Sequence, residues 1–307
     1  MFQSFIAFDR ATLEHLKPIE RLETLSNVMS FLTPFDYEFF RNGFIAAVVI
    51  GALCGFIGVY VVLRRMSYIG HGLSHAIFGG AVLSYVWNIN FFLGGGLWAL
   101  LSGVLIHWVS HRRWVGADAA IGVVTTSSFA LGVALISTRR TFTRNIEAAL
   151  FGNILGITQR DVWIVVIVSL LVAGALFLIR RPLLFATFDP EVASAYGVST
   201  GKIDLLFIML LAATVLVSTQ ILGVTLVAAA IVIPPVIARY MTQRFQTLLI
   251  VSPLLGAFCG AAGMFLSFSF DISSAATIVL TSAALFILVE IILLARGRKP
   301  APIHEHG

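Results

Sequence analysis

Residues 42–63 read NGFIAAVVIGALCGFIGVYVVL, twenty-two positions without Asp, Glu, Lys or Arg, closed by Arg64-Arg65. A helix rises 1.5 Å per residue, so this stretch covers about 33 Å, enough to cross a hydrocarbon core of about 30 Å. A β-strand of that length would leave its backbone donors and acceptors unpaired in lipid, so the stretch reads as a membrane-spanning helix.

The same reading repeats outward from it. Residues 66–111 hold no Asp, Glu, Lys or Arg and are too long for one crossing, with a break expected at Trp87-Asn88-Ile89-Asn90 and Gly94-Gly95-Gly96. Spans follow over 119–138 and 162–179. Residues 205–238 are again too long for one crossing and are expected to turn near Gln220–Gly223. Residues 245–270 and 272–289 bring the expected crossings to nine. The fold class is an all-α, polytopic transmembrane helix bundle.

Composition agrees. Of 307 residues, 59% are hydrophobic and 11% charged, with a mean hydropathy of +0.97. A soluble domain carries about a quarter charged residues. The net charge of +5 does not signal nucleic acid, because the basic residues stand at the ends of apolar segments, where they set orientation. If Arg64-Arg65 lie inside, then Arg112, Arg113, Arg180, Arg181, Lys202, Arg239, Arg244, Arg296, Arg298 and Lys299 also lie inside. Arg139, Arg140, Arg144 and Arg160 are the outer counter-signal. The majority places the C-terminus in the cytoplasm and the N-terminal segment outside.

Three parts are expected: an N-terminal amphipathic segment over 1–40, a permease domain over 41–296 and a cytoplasmic tail over 297–307. In the first, Leu13, Leu16, Leu22 and Leu25 recur at roughly helical spacing among mixed charges, which suits a surface helix ending before Pro34. In the tail, His304 and His306 belong to a terminal segment rather than to a metal site. Cys54 and Cys259 sit inside apolar stretches and read as small buried hydrophobes. Gly51, Gly55, Gly58 and Gly256, Gly260, Gly263 recur every three or four residues, a pattern for close helix packing. Pro234-Pro235 is expected to break or kink its helix.

His71 and His75 share one helical face in the second span, and imidazoles four apart can hold one zinc-like ion. Zinc proteases place a Glu after the first His as general base, and here that position is Gly72, which favours coordination over hydrolysis. Asp118, opening the fourth span, reads either as an acid favoured by the helix dipole or as a further metal ligand. Glu290 near the inner end of the last span has no assigned role. Asp271 reads as a cap at an outer turn. Between the fifth and sixth spans, Asp189-Pro190-Glu191-Val192-Ala193-Ser194-Ala195-Tyr196-Gly197-Val198 predicts a short helix over about 189–198. Asp189 is its N-cap, Pro190 its first residue and Gly197 its stop, and it suits docking of another protein. No phosphate-binding loop is present: Gly197-Val198-Ser199-Thr200-Gly201-Lys202 lacks the required spacing, and Ile203 follows the Lys. The chain is therefore no ATPase, and nothing in it binds a resident cofactor.

Five stretches resemble the membrane permeases of bacterial ABC importers for manganese, zinc and iron. They are GVYVVLRRMSYIGHGLSH (58–75), DAAIGVVTTSSFALG (118–132), LFGNIL (150–155), FDPEVASAYG (188–197) and LGVTLVAAAIVIPPVIAR (222–239). The resemblance implies the fold of vitamin B12 and siderophore permeases and residence in the cytoplasmic (inner) membrane of a bacterium. It further implies a second permease subunit (a copy or close paralogue), a cytoplasmic ABC ATPase and an extracytoplasmic metal-binding protein. By the same resemblance Asp189, Pro190, Glu191, Ala193 and Gly197 form the coupling helix. Many members carry Asp where this chain has His71, and nitrogen in place of oxygen favours zinc over manganese. Three alternatives stay open: a permease for metal chelates or small cofactors, an intramembrane metalloprotease, and a gradient-driven metal transporter.

Overall fold

The computed structural model describes residues 33–87, 89–110, 116–137 and 150–296. The expected N-terminal surface helix and the tail histidines lie outside these residues. Nine α-helices occur among those described: α1 (Glu38–Leu63), α2 (Ser67–Val86), α3 (Phe91–Ser110), α4 (Ala117–Ser137), α5 (Gln159–Phe188), α6 (Pro190–Ala195), α7 (Thr200–Met241), α8 (Phe245–Phe270) and α9 (Ser274–Ala295). Short 3-10 turns occupy Thr33–Asp36 and Ile154–Gly156.

The chain divides into two units between Arg41 and Asn42. The described part of the first is a 3-10 turn followed by the opening turn of α1, with the Phe35 and Phe40 rings edge to face at 5.2 Å. The second unit holds the helix bundle.

Seven of the described helices are long and apolar enough to cross a membrane. Two features reconcile seven such helices with nine crossings. The 42-residue α7 is one of the seven, and it would span about 63 Å if straight. Gly223 interrupts it at φ 72°, ψ 165°, a region essentially reserved for glycine. The contacts of α1 then give the directions of the two parts. Arg64 pairs with Asp204, Tyr60 packs on Phe207 at 6.4 Å, and the Cys54 Sγ lies 3.4 Å from the Ser218 Oγ, so the part before Gly223 runs antiparallel to α1. Beyond it, Gly58 faces the Ile231 carbonyl and Tyr60 meets Phe245 at 5.8 Å, so the chain has come back toward the same end. The second feature is α2, as long as a span but less apolar. It is enclosed by α3, α4 and α7, with Ser74 and Ser84 buried, and neighbouring helices rather than lipid surround its polar groups.

Small residues set the closest approaches, as the glycine spacing predicts. Gly51 and Gly256 face each other's backbone, Gly55 faces Ser252, Gly260 faces Ala47 and Gly263 faces Ile278; a Cβ at any of them would collide with main-chain atoms. Ser252 adds a hydrogen bond, its hydroxyl donating to the Gly55 carbonyl at 2.6 Å. Cys54 and Cys259 are free thiols buried in this packing.

One sequence expectation is corrected. Gly94, Gly95 and Gly96 do not interrupt the chain: they lie inside α3, where Gly94 packs on Ser84 and the other two face Leu216. The Pro234-Pro235 pair does not break its helix, which continues to Met241. Pro235 has no N–H to offer the carbonyl of Ile231 four residues earlier, and that oxygen instead lies against Gly58. The lost helical bond and the close approach to α1 are one feature.

The motif 150–155 has its explanation at the α7 reversal. The Asn153 N–H donates to the Gln220 carbonyl at 3.1 Å and the Thr225 hydroxyl donates to the Leu150 carbonyl at 3.0 Å. These bonds satisfy backbone and side-chain groups where the helix ladder is interrupted. Gly152 (φ 80°) and Gly223 lie back to back, each too close to the other's strand of backbone for a side chain.

Candidate functional site

His71 and His75 lie one and two turns into α2, and their Nε2 atoms are 3.2 Å apart. Their rings stand at 76° with centroids 4.5 Å apart. Two nitrogens bound to one tetrahedral ion at 2.0–2.1 Å would be about 3.3 Å apart. The same separation also suits one imidazole donating to the other, so the pair is arranged for either state. Both rings are partly buried. Ser74 donates to the His71 carbonyl at 2.8 Å, Phe129 of α4 sets its edge against His75 at 5.2 Å, and Tyr68 lies 5.9 Å from His71.

Gly72 explains how α4 comes so close. A Cβ there would stand 2.5 Å from the Ile121 Cγ2 and 2.9 Å from the Thr125 Cγ2. The position where a zinc protease carries its general base therefore has no room for a side chain. The helix is closed by α4 at Gly72, so no general base can stand at that position beside the imidazole pair. Among the described residues no third His, Cys, Asp or Glu joins them. Asp118 lies in the first turn of α4, and its side chain is outside the described residues.

The short helix α6 has the caps that its sequence predicts. The Asp189 carboxylate accepts from the Val192 N–H at 3.0 Å, Pro190 opens the helix, and Gly197 turns the chain at φ 83°. The Gly197 and Val198 amides donate back to Ser194 and Ala193. Only Ala193 is buried; Glu191 is exposed, and Phe188, Val192 and Tyr196 present an apolar surface at 70%, 41% and 80% exposure. Glu290 on α9 has one carboxylate oxygen buried without a hydrogen bond, and Asp271 closes α8 in the left-handed conformation, as a cap.

One constellation escapes the sequence reading. Arg64, at the end of α1, forms an ion pair through Nη2 with Asp204 in the second turn of α7, and its guanidinium lies 5.0 Å over the Phe207 ring. In the sequence Arg64 reads as a marker of a span end and Asp204 stands just before the 205–238 stretch, and nothing in either stretch indicates that they meet.

Among the described residues, a helix bundle with seven candidate spans, an imidazole pair on a buried helix and a capped short helix define a multi-pass membrane protein. Residues 36–293 match the ABC 3 transport family, and the chain belongs to that family as a membrane permease subunit without an ATPase site of its own. It is 33% identical over 265 residues to the manganese transport system membrane protein MntC of Halalkalibacterium halodurans, covering 86% of this chain and 91% of that protein. It is 34% identical over 253 residues to the manganese import system permease protein ScaB of Streptococcus gordonii, covering 82% and 91%. Among solved structures it is similar to PsaBC from Streptococcus pneumoniae in complex with Fab, with a TM-score of 0.78 and 28% identity over 88% of this chain and 99% of that one. An inward-facing putative metal-chelate type ABC transporter shares the fold alone, with a TM-score of 0.69 at 18% identity over 82% and 85%.

Proposed function

We propose that this chain forms the pathway of an ATP-driven importer for a divalent transition-metal ion, with His71 and His75 as ligands along the route. The observation that carries the reading is the 3.2 Å separation of the two Nε2 atoms on a buried helix. Relatives of this family are named for manganese. Two imidazoles extend that preference toward zinc, because nitrogen ligands suit later transition metals better than carboxylate does. Asp118 is a further ligand in this reading. A two-imidazole site binds weakly by design, since a pathway must release what it takes up.

Energy comes from a separate cytoplasmic ABC ATPase docked on α6. The exposed Phe188, Val192 and Tyr196 side chains supply an apolar contact, and Asp189, Pro190, Glu191, Ala193 and Gly197 hold the helix in its projecting shape. An extracytoplasmic protein delivers the ion to the outer mouth, and a second permease subunit completes the pathway. The chain resides in the cytoplasmic membrane of a bacterium with its C-terminus inside.

The test is uptake into proteoliposomes containing the chain with its ATPase and binding protein, with manganese, zinc and iron in competition. ATP-dependent uptake in the wild type, lost in His71→Ala/His75→Ala, is the expected result. Unchanged uptake in the double variant removes the histidines from the route. Uptake of a metal chelate but of no free ion replaces the metal reading with the chelate one.

A further inference from the structure

We infer that Arg64 and Asp204 are positioning residues that carry the movement of α6 to the histidine pair. This inference rests on the importer reading above and adds to it the link between energy input and transport site.

Each partner sits at a short connection between two helices. On one side the Val198 amide donates to Ala193, which closes the α6 turn, and the Lys202 and Ile203 amides donate to Ser199, which opens α7, so only the four residues 196–199 separate the two helices. Asp204 is four residues into α7, about 6 Å from its start. On the other side, α1 and α2 meet in a tight elbow. The Arg64 amide donates to Tyr60 at 2.9 Å, the Met66 amide to Val61 at 3.0 Å, and Arg65 takes φ 55°. His71 follows one turn into α2. Displacement of α6 therefore moves Asp204, and Arg64 passes that movement to the elbow that carries both imidazoles.

The ion pair is built to transmit. The Arg64 side chain is 11% exposed and that of Asp204 26%, so the charges are held out of bulk water and parting them costs more than parting a surface pair. Phe207 backs the guanidinium, and the Tyr60 ring lies tilted against the same Phe207 ring at 6.4 Å. The engagement is one-armed: Nη2 meets Oδ1, while Nη1 is buried without a hydrogen bond. An arginine fork can take a carboxylate with both arms. A turn of the carboxylate plane relative to the guanidinium brings Nη1 to the second carboxylate oxygen, which gives the pair a one-armed and a two-armed arrangement. A two-state element biased from both ends is what coupling between distant sites requires.

The experiment uses the whole transporter in proteoliposomes, comparing wild type, Asp204→Asn and the exchange Arg64→Asp/Asp204→Arg. The expected result is that Asp204→Asn lowers metal imported per ATP hydrolysed at least about fivefold while hydrolysis stays near the wild-type rate, and that the exchange recovers a large part of the loss. Metal affinity of the histidine pair stays unchanged in all three. Equal coupling ratios in the three proteins overturn the inference, as does a parallel loss of hydrolysis and uptake that the exchange fails to restore. A second readout does not depend on the transported solute: spin labels at Ser67 and Ser194 report whether ATP binding changes the distance between elbow and α6. A change seen in the wild type, absent in Asp204→Asn and regained in the exchange supports the link. The same change in all three overturns it, even if wild-type uptake of free metal is absent and the importer reading itself has failed.

Discussion

Adding a single carbon at Gly72 brings it against Ile121 and Thr125, two buried side chains of α4. Overpacking of this kind costs about 1–3 kcal/mol. Gly72→Ala is expected to lower the melting temperature of the purified chain in detergent and to reduce uptake with it. An unaltered melt would mean that α4 does not rest on this face. On the proposed function, the neighbouring imidazole sets selectivity instead. His71→Asp places oxygen where nitrogen stands, and the expected outcome is a shift of the manganese-to-zinc uptake ratio toward manganese in competition. A ratio that does not move would place the choice of ion elsewhere. At this scale the sequence is informative about chemistry and silent about neighbours. The four-residue spacing of His71 and His75 is enough to put the imidazoles together, and the absence of a base at 72 is visible. That Gly72 is required by Ile121 and Thr125, some fifty residues away, depends on which helices touch, and no local pattern records that. The Arg64–Asp204 pair is hidden for the same reason, since a charge at the end of a span is expected in any membrane protein.

Among the elements, α7 shows how a helix pair reverses with one residue between its parts. Gly223 holds a conformation that an L side chain enters only with strain, on the order of 1–3 kcal/mol, and a Cβ there would also meet the Leu150 carbonyl. Thr225 contributes one hydrogen bond to the same junction, worth about 1 kcal/mol. Gly223→Ala is therefore expected to destabilise the chain more than Thr225→Val, measured side by side by thermal unfolding in detergent. The reverse order would show that the hydrogen bonds, and not the glycine conformation, hold the reversal. The existence of this reversal is legible from length alone, because residues 205–238 cannot cross once and remain in the bilayer. Its partner is not legible: the motif 150–155 only acquires meaning against Gln220, Ile221 and Thr225. The glycine triplet 94–96 misleads because glycine marks a turn in water and a helix contact in a membrane bundle. Pro234-Pro235 leaves the helix unbroken because a helix tolerates proline when the freed carbonyl lies against a neighbouring helix, here at Gly58.

For the whole molecule, the direction of every helix after α6 depends on whether α7 crosses once or twice. If it returns, the α7–α8 connection at Gln243 lies on the same side as Arg64, and the α8–α9 turn at Ile272 lies on the opposite side. A single crossing would exchange them. Packing along α1 shows the return, since Asp204 and Phe245 both lie near the Tyr60–Arg64 end. The basic residues Arg239 and Arg244 agree, because they then lie on the same side as Arg64 and Arg65. Gln243→Cys and Ile272→Cys separate the two arrangements, with both positions exposed at helix junctions. The native thiols of Cys54 and Cys259 are buried and do not compete for reagent. In intact cells a membrane-impermeant thiol reagent is expected to label position 272 and spare 243, and in inverted vesicles the pattern reverses. Labelling of 243 from outside would make α7 a single crossing, carry Arg239 and Arg244 to the outer face, and remove the shared end at which α6, Asp204 and the α1–α2 elbow meet.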